Sequence, residues 1–370
     1  MAAMSLIEQI HAAPLQVVLA ITGGGSGAIA RLLDMPGASR TVLEATVPYS
    51  AAALADYLGA APEAACDERT ARVLAMAAYQ RAGRFAPTAP RLAGIGATAS
   101  LASDRSKRGA HRIHVAVQTA DATRVASLIL EKNARSRAEE ERLCADLILN
   151  EIALAARLEQ QLQLALRVGE QIAVAEAAAE PAWKQLLSAA REMVDAGPGQ
   201  SPRGALFPGA FNPPHAGHAD IVRVAAEILG QPVAYELSIA NADKPLLDFL
   251  EIRRRCEALS GKPLWLTRAA TFVEKSRLFL GAVFVVGVDT LARIADPKYY
   301  GADPDRADAA FDAIAERGCS FLVFGRRIGE TFCTLSDLDL PARLRTLCSE
   351  VPEKTFRRDV SSTELRAGEQ

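Results

Sequence analysis

The chain has 370 residues, half of them hydrophobic and 23% charged, the balance of a globular protein with ample material for a buried core. Lysine plus arginine number 42 against 44 aspartate plus glutamate, a net charge of −2. That near-neutral balance argues against a general electrostatic grip on nucleic acid or an anionic membrane, and no apolar run approaches the ~20 residues that span a bilayer.

In chain order, residues 16–22 (QVVLAIT) read as a buried strand, 23–27 as a glycine cluster and 28–33 as the start of a helix. Residues 41–47 and 114–119 read as further strands, and the alanine-rich 67–82 as a helix. Residues 134–196 are rich in good helix formers, with Gly169 and Pro181 as the interior breakers, and predict one long helix plus a shorter one. The stretch 197–204 (GPGQSPRG) reads as a linker. Beyond it, 203–207, 233–239, 264–267, 282–286 and 320–324 read as strands separated by helical segments. Strands alternating with helices predict an α/β protein of two domains, each with a mostly parallel sheet and helices on both faces. The expected divisions are 1–160, a helical connector and linker at 134–200, and 203–370. The connector or the first domain offers a surface for a homo-oligomer.

Six cysteines, at 66, 144, 256, 319, 333 and 348, form no CxxC pair and read as free thiols of a reducing compartment. The N-terminus lacks the basic, apolar and small-residue succession of a signal peptide. A soluble, cytoplasmic protein is expected.

Two of the five histidines fall in one stretch, Gly209-Ala-Phe211-Asn-Pro-Pro-His215-Ala-Gly217-His218, between a strand and an apolar helix. A tight turn into a helix N-terminus is an anion site, because free backbone N–H groups and the helix dipole point at the ligand. Two imidazoles add donors for phosphate oxygens, and Gly209 and Gly217 let the backbone approach closely. No cysteine or carboxylate accompanies the pair, so no protein metal site is expected.

This segment resembles the His-x-Gly-His signature of the nucleotidylyltransferase superfamily. Val360-Ser361-Ser362-Thr363-Glu-Leu-Arg366 resembles the second motif of that superfamily, Ile-Ser-Ser-Thr-x-x-Arg. It reads physically as a hydroxyl-rich helix start followed one turn later by a forked donor. The finer resemblance is to nicotinamide mononucleotide adenylyltransferases. It rests on residues 236–245, where Lys244 precedes a proline, and on Gly287-Val-Asp289-Thr, which in that family helps hold the adenosine ribose. It implies Trp265 and Thr267 around the nicotinamide ring and Arg326 at phosphate. The reaction implied is attack of a mononucleotide phosphate on the α-phosphorus of ATP, with Mg²⁺ carried mainly by the phosphates. In this reading His218 serves the α-phosphate and His215 the β- and γ-phosphates. Lys244 and Arg366 hold charge, and Ser361, Ser362 and Thr363 cradle the nucleotide. The partners are thus ATP and a mononucleotide. The alternatives are another member of the superfamily, a cytidylyltransferase or a phosphopantetheine-type enzyme, and a nucleotide sensor without turnover.

The first domain has a glycine turn, Thr22-Gly23-Gly24-Gly25-Ser26-Gly27, but no lysine follows it as in a P-loop. Gly25-Ser-Gly-Ala-Ile-Ala30 fits the loose dinucleotide pattern, with Glu44 at the distance of a ribose contact. A wider resemblance is to the CinA C-terminal domain, the nicotinamide mononucleotide deamidase family. It rests on Thr22-Gly23-Gly24, Met35-Pro-Gly-Ala-Ser39 and Tyr49-Ser50. Where that family has its nucleophilic serine this chain has Ala20, and where it has an activating lysine this chain has Leu54. An amidase of this type needs an activated hydroxyl. The resemblance therefore implies a degenerate site at Ala20, Thr22, Gly23, Gly24 and Tyr49.

Overall fold

The computed structural model describes residues 4–104, 108–198, 204–329 and 331–357. They form two compact α/β units, Met1–Leu187 with Asp243–Arg253, and Ser188–Ala242 with Arg254–Gln370.

The first unit contains α1 (Leu6–Ala12), β1 (Gln16–Thr22), α2 (Gly27–Asp34), β2 (Val42–Thr46), α3 (Ala51–Leu58), α4 (Glu68–Phe85), β3 (Leu92–Ser100), β4 (His111–Thr119), β5 (Ala122–Leu130), α5 (Arg137–Ala155), β6 (Ile172–Ala178) and α6 (Pro181–Leu187). Its sheet runs β2-β1-β3-β4-β5-β6. The expected parallel pairing holds for β2, β1 and β3; β3 to β6 are joined antiparallel, so this sheet is mixed. Helices cover both faces. Leu19, Ile95 and Val115 pack with Leu32 and Ile148 on one side, and Val18 and Ala20 with Leu54, Leu74 and Ala78 on the other.

Most of the stretch expected as a helical connector, up to Leu187, is built into this unit, and its remainder belongs to the second. α5 packs on the sheet, and β6 extends it beside β5. Between them the backbone leaves the helix despite its helix-forming composition. Asn150 Oδ1 accepts the Leu162 N–H at 2.7 Å, and Glu170 takes a two-pronged ion pair from Arg135 at 2.6 and 2.7 Å. Leu158, Leu162 and Leu164 turn onto the core. Tertiary contacts here outweigh helix propensity.

The second unit contains β7 (Met193–Asp195), β8 (Ala205–Pro208), α7 (Ala216–Leu229), β9 (Ala234–Ser238), the C-terminal half of α8 (Phe249–Ala258), β10 (Leu264–Thr267), α9 (Phe272–Leu278), β11 (Val283–Gly287), α10 (Val288–Ala295), α11 (Pro304–Glu316), β12 (Ser320–Phe324), β13 (Arg326–Ile328), β14 (Thr331–Cys333), α12 (Ala342–Thr346) and β15 (Cys348–Val351). The sheet order is β15-β12-β11-β8-β9-β10-β7, parallel except for β7. β9 and β10 extend the sheet on one side of β8, and β11, β12 and β15 on the other. The strand order therefore reverses between β8 and β11, and in open α/β sheets ligands bind outside the carboxyl ends of the strands at such a point. Among the described residues, no helix is long and apolar enough to cross a membrane. All six cysteines are free thiols.

Candidate active site

The candidate site is built from the residues after β8. Gly209 must be small: a Cβ there would meet the Phe211 ring at 2.7 Å. Phe211 is buried with a left-handed φ of +47° and packs edge-on to His218, with ring centroids 5.3 Å apart. His215 caps α7, and Gly217 lies in the first turn of that helix, where a Cβ would touch the His215 ring at 3.0 Å. The His215 and His218 rings stack, 3.7 Å between centroids.

The tautomer of His218 follows from its contacts. The His215 backbone N–H donates to His218 Nδ1 at 3.1 Å. Burial, then the neighbouring His215 and Arg326, push the His218 pKa down to about 4. The ring is neutral at pH 7, and its proton sits on Nε2. His215 is shifted in the same direction by burial and Arg326. Its Nδ1 is buried without a hydrogen-bond partner among the described residues. One imidazole thus carries an N–H directed by its neighbour, and the other an orphaned polar atom, both at a helix N-terminus.

Arg326, at the start of β13 just past β12, donates to Asp289 at 2.6 Å. Asp289 lies in the first turn of α10, after Gly287 at the end of β11; a Cβ on Gly287 would meet Asp289 Oδ1 at 2.7 Å. Gly209, Phe211, His215, Gly217, His218, Gly287, Asp289 and Arg326 therefore follow the carboxyl ends of β8, β11 and β12, around the reversal point.

Other expected residues lie elsewhere. Trp265 is core: it is buried and meets Phe279 edge-on, 5.7 Å between centroids. Thr267 is fully buried, and its hydroxyl donates to Glu236, which also takes Lys275 Nζ at 2.7 Å. The antiparallel β7, read from the sequence as part of the helical zone, pairs with β10 and makes it an internal strand. Lys244 is exposed and belongs to the first unit, where the Asp243 carbonyl lies against Gly59. Ser361, Ser362, Thr363 and Arg366 lie outside the described residues.

Sequence reasoning missed Arg254 and Arg255. Arg255 donates to the Ala210 carbonyl at 2.9 Å, and Arg254 to Asn212 Oδ1, one residue on each side of Phe211. The run of three arginines at 253–255 was the available signal, and it reads as a solvated helix face. Among the described residues, no group of three His, Cys, Asp or Glu side chains could hold a metal ion.

In the first unit, Ala20 and Leu54 share one apolar cluster. Thr22 is buried and Tyr49 exposed. A Cβ on Gly23 would lie 1.9 Å from the Ala99 carbonyl oxygen and one on Gly24 2.4 Å from Leu101, so close packing accounts for these glycines. Gly25 and Ser26 both donate to Glu141 Oε1, at 2.8 and 3.0 Å, and Arg137 donates to the Gly23 carbonyl. Glu44 takes a two-pronged contact from Arg81. The Gly25 N–H and the Ser26 hydroxyl, two donors of the dinucleotide pattern, are thus engaged within the chain.

No curated protein matches the sequence. The competence/damage inducible protein CihA from Agrobacterium tumefaciens is similar in structure, with 19% identity and a TM-score of 0.29, over 42% of this chain and 96% of that one. Residues 206–368 match the cytidylyltransferase-like family. Over those residues the chain is similar to cytidylyltransferase-like domains, a similarity that supports nucleotidyl transfer in general.

Proposed function

We propose that this domain transfers the adenylyl group of ATP to the phosphate of a pyridine mononucleotide, nicotinamide mononucleotide for preference, giving NAD and pyrophosphate. The observation that carries the transfer chemistry is the stacked His215–His218 pair at the start of α7, with a neutral His218 whose remaining N–H is on Nε2 and with Arg326 beside both rings. The choice of ATP and of a pyridine acceptor rests on the sequence resemblance, carried by residues 236–245 and 287–290 and by the deamidase-like first domain.

An oxygen of the acceptor phosphate forms a bond to the α-phosphorus as the bond from that phosphorus to the bridging oxygen breaks, and pyrophosphate departs with the electron pair. No covalent enzyme intermediate is needed. The work of the protein is to align two anions and to place donors where charge develops. His218 Nε2–H donates to an α-phosphate oxygen. His215 and the first-turn N–H groups of α7 hold the β- and γ-phosphates. Arg326 exchanges part of its contact with Asp289 for phosphate, and Asp289 turns to the ribose. Arg366 neutralises charge on the transferred and leaving groups. Mg²⁺ enters as the complex with the triphosphate.

A second reading, CTP as the donor, is favoured by the cytidylyltransferase-like match. Pyrophosphate release separates the two when ATP and CTP are each offered with nicotinamide mononucleotide, nicotinate mononucleotide, phosphopantetheine and a phosphorylated alcohol. Turnover with ATP and a pyridine mononucleotide is the expected result. Turnover with CTP alone replaces the reading by the second one. Nucleotide binding without turnover across the panel identifies a sensor.

A further inference from the structure

The loop that carries the histidines holds a conformation it does not favour unaided. Phe211 is a residue with a Cβ in the left-handed region, and its ring is wedged among Phe207, Tyr235 and His218. The residues on either side of it are each tied to α8. Arg255, only 7% exposed, donates from Nη1 to the Ala210 carbonyl, and Arg254 donates to the Asn212 side chain. A buried guanidinium is costly unless its donors are engaged, and the Ala210 carbonyl is one of the acceptors that engage Arg255 here.

We propose that Arg254 and Arg255 are positioning residues for nucleotidyl transfer: they clamp both sides of Phe211, and Phe211 in turn holds the His218 ring in place. The role in transfer rests on the reading of His218 as a phosphate donor. The clamp on the ring stands apart from that reading. His218 is shielded by Phe207 and Phe211 and flanked by His215 and Arg326, so loosening the loop admits water to the ring. A clamp acts on alignment, and misplacement of about 1 Å can cost on the order of 100-fold in rate. It affects turnover more than the affinity for free nucleotide.

The test uses the full chain with Arg255→Ala, Arg255→Lys and Arg254→Ala. His218 is followed by NMR titration and transfer by pyrophosphate release. In Arg255→Ala the His218 pKa is expected to rise from about 4 toward the ordinary value, and kcat to fall by about 10- to 100-fold with KM for ATP changed less than about threefold. Arg255→Lys, which keeps one donor for the Ala210 carbonyl, recovers part of both. Arg254→Ala moves both in the same direction by less. If Arg255→Ala does not fold, the other two variants decide. Folded variants with an unmoved His218 titration and unchanged kcat overturn the proposal. If wild type has no transferase activity while the His218 titration still moves in the variants, the clamp stands and the function it was assigned to serve is removed.

Discussion

The backbone N–H of His215 donates to Nδ1 of His218 at 3.1 Å, and this one bond decides what the second imidazole can do. Protonating His218 puts a hydrogen on Nδ1, facing a backbone N–H, so the bond is lost. A neutral ring keeps the bond and keeps Nε2–H as a donor. The folded protein therefore resists protonation here, and an unfolded chain does not. Below pH ~6.5 the unfolded state takes up a proton that the folded state refuses until about pH 4. The stability that His218 contributes is full above 6.5 and is lost as the pH falls toward 4. Urea midpoints measured from pH 7.5 to 4 are expected to decline across that window, and to decline less steeply in His218→Phe.

Arg326 lies close enough to lower the pKa values of both histidines while it is paired with Asp289. Arg326→Ala is expected to raise both imidazole pKa values and to weaken ATP binding by about tenfold, or ~1.4 kcal/mol. NMR titration and calorimetry read the two effects separately. Unmoved histidines with weakened binding would leave Arg326 as a phosphate contact with no influence on the rings.

The glycine turn of the first unit is filled by its own chain. Gly25 has a φ of +91°, and a Cβ there would lie 2.4 Å from Ile148. Gly25→Ala is expected to destabilise the protein by more than about 1 kcal/mol, from backbone strain and overpacking together. Glu141→Ala leaves the Gly25 N–H and the Ser26 hydroxyl without their acceptor, at a cost of about 1–3 kcal/mol where water cannot replace it. Thermal unfolding checks both.

Ala20 and Leu54 lie in the same apolar cluster on the α3–α4 side of the sheet. Wild type is expected to release no ammonia from nicotinamide mononucleotide. Ala20→Ser alone is expected to be equally silent, because the new hydroxyl meets apolar neighbours and no base. The double variant Ala20→Ser, Leu54→Lys is the one in which ammonia release can return. Ammonia from wild type would show that another residue serves as nucleophile.

Glu170 holds the non-helical stretch that precedes β6. Its contact with Arg135 and the backbone N–H groups of Glu131 and Arg167 lower its pKa to about 2. Its contribution to stability is present above pH ~4.5 and is lost as the pH falls toward 2. Glu170→Gln is expected to lower the urea midpoint at pH 7 and to flatten its dependence on pH below 4.5.

The strand–loop–helix placement of His215 and His218 was legible because its signals are local: an apolar strand, a glycine, two prolines and an apolar helix follow one another along the chain. β1, β10 and β12 were legible to the residue for the same reason, as apolar runs bounded by turn residues. β3 was not. Its sequence LAGIGATAS has weak strand propensity, and it is a strand through its pairing with β1 and β4, with α4 packed on it. A Cβ on Gly94 would lie 2.0 Å from the Ala75 carbonyl oxygen, and one on Gly96 2.2 Å from that of Ala71, so the glycines admit a helix packed closely on the sheet. The pairing of β7 beside β10 was not legible either, because nothing in residues 264–267 announces a neighbour from residues 193–195. The clamp by Arg254 and Arg255 is a contact across about forty residues of chain, visible only once the fold brings α8 to the loop.

The central claim, that His218 presents an N–H to the α-phosphate of a nucleotide under transfer, is tested most directly by pyrophosphate release from Mg²⁺–ATP and nicotinamide mononucleotide in wild type and His218→Ala. The account predicts one pyrophosphate per NAD formed in wild type. In His218→Ala it predicts a fall in kcat of about 100-fold or more, with the circular dichroism of the variant unchanged. Turnover by His218→Ala at the wild-type rate would contradict it.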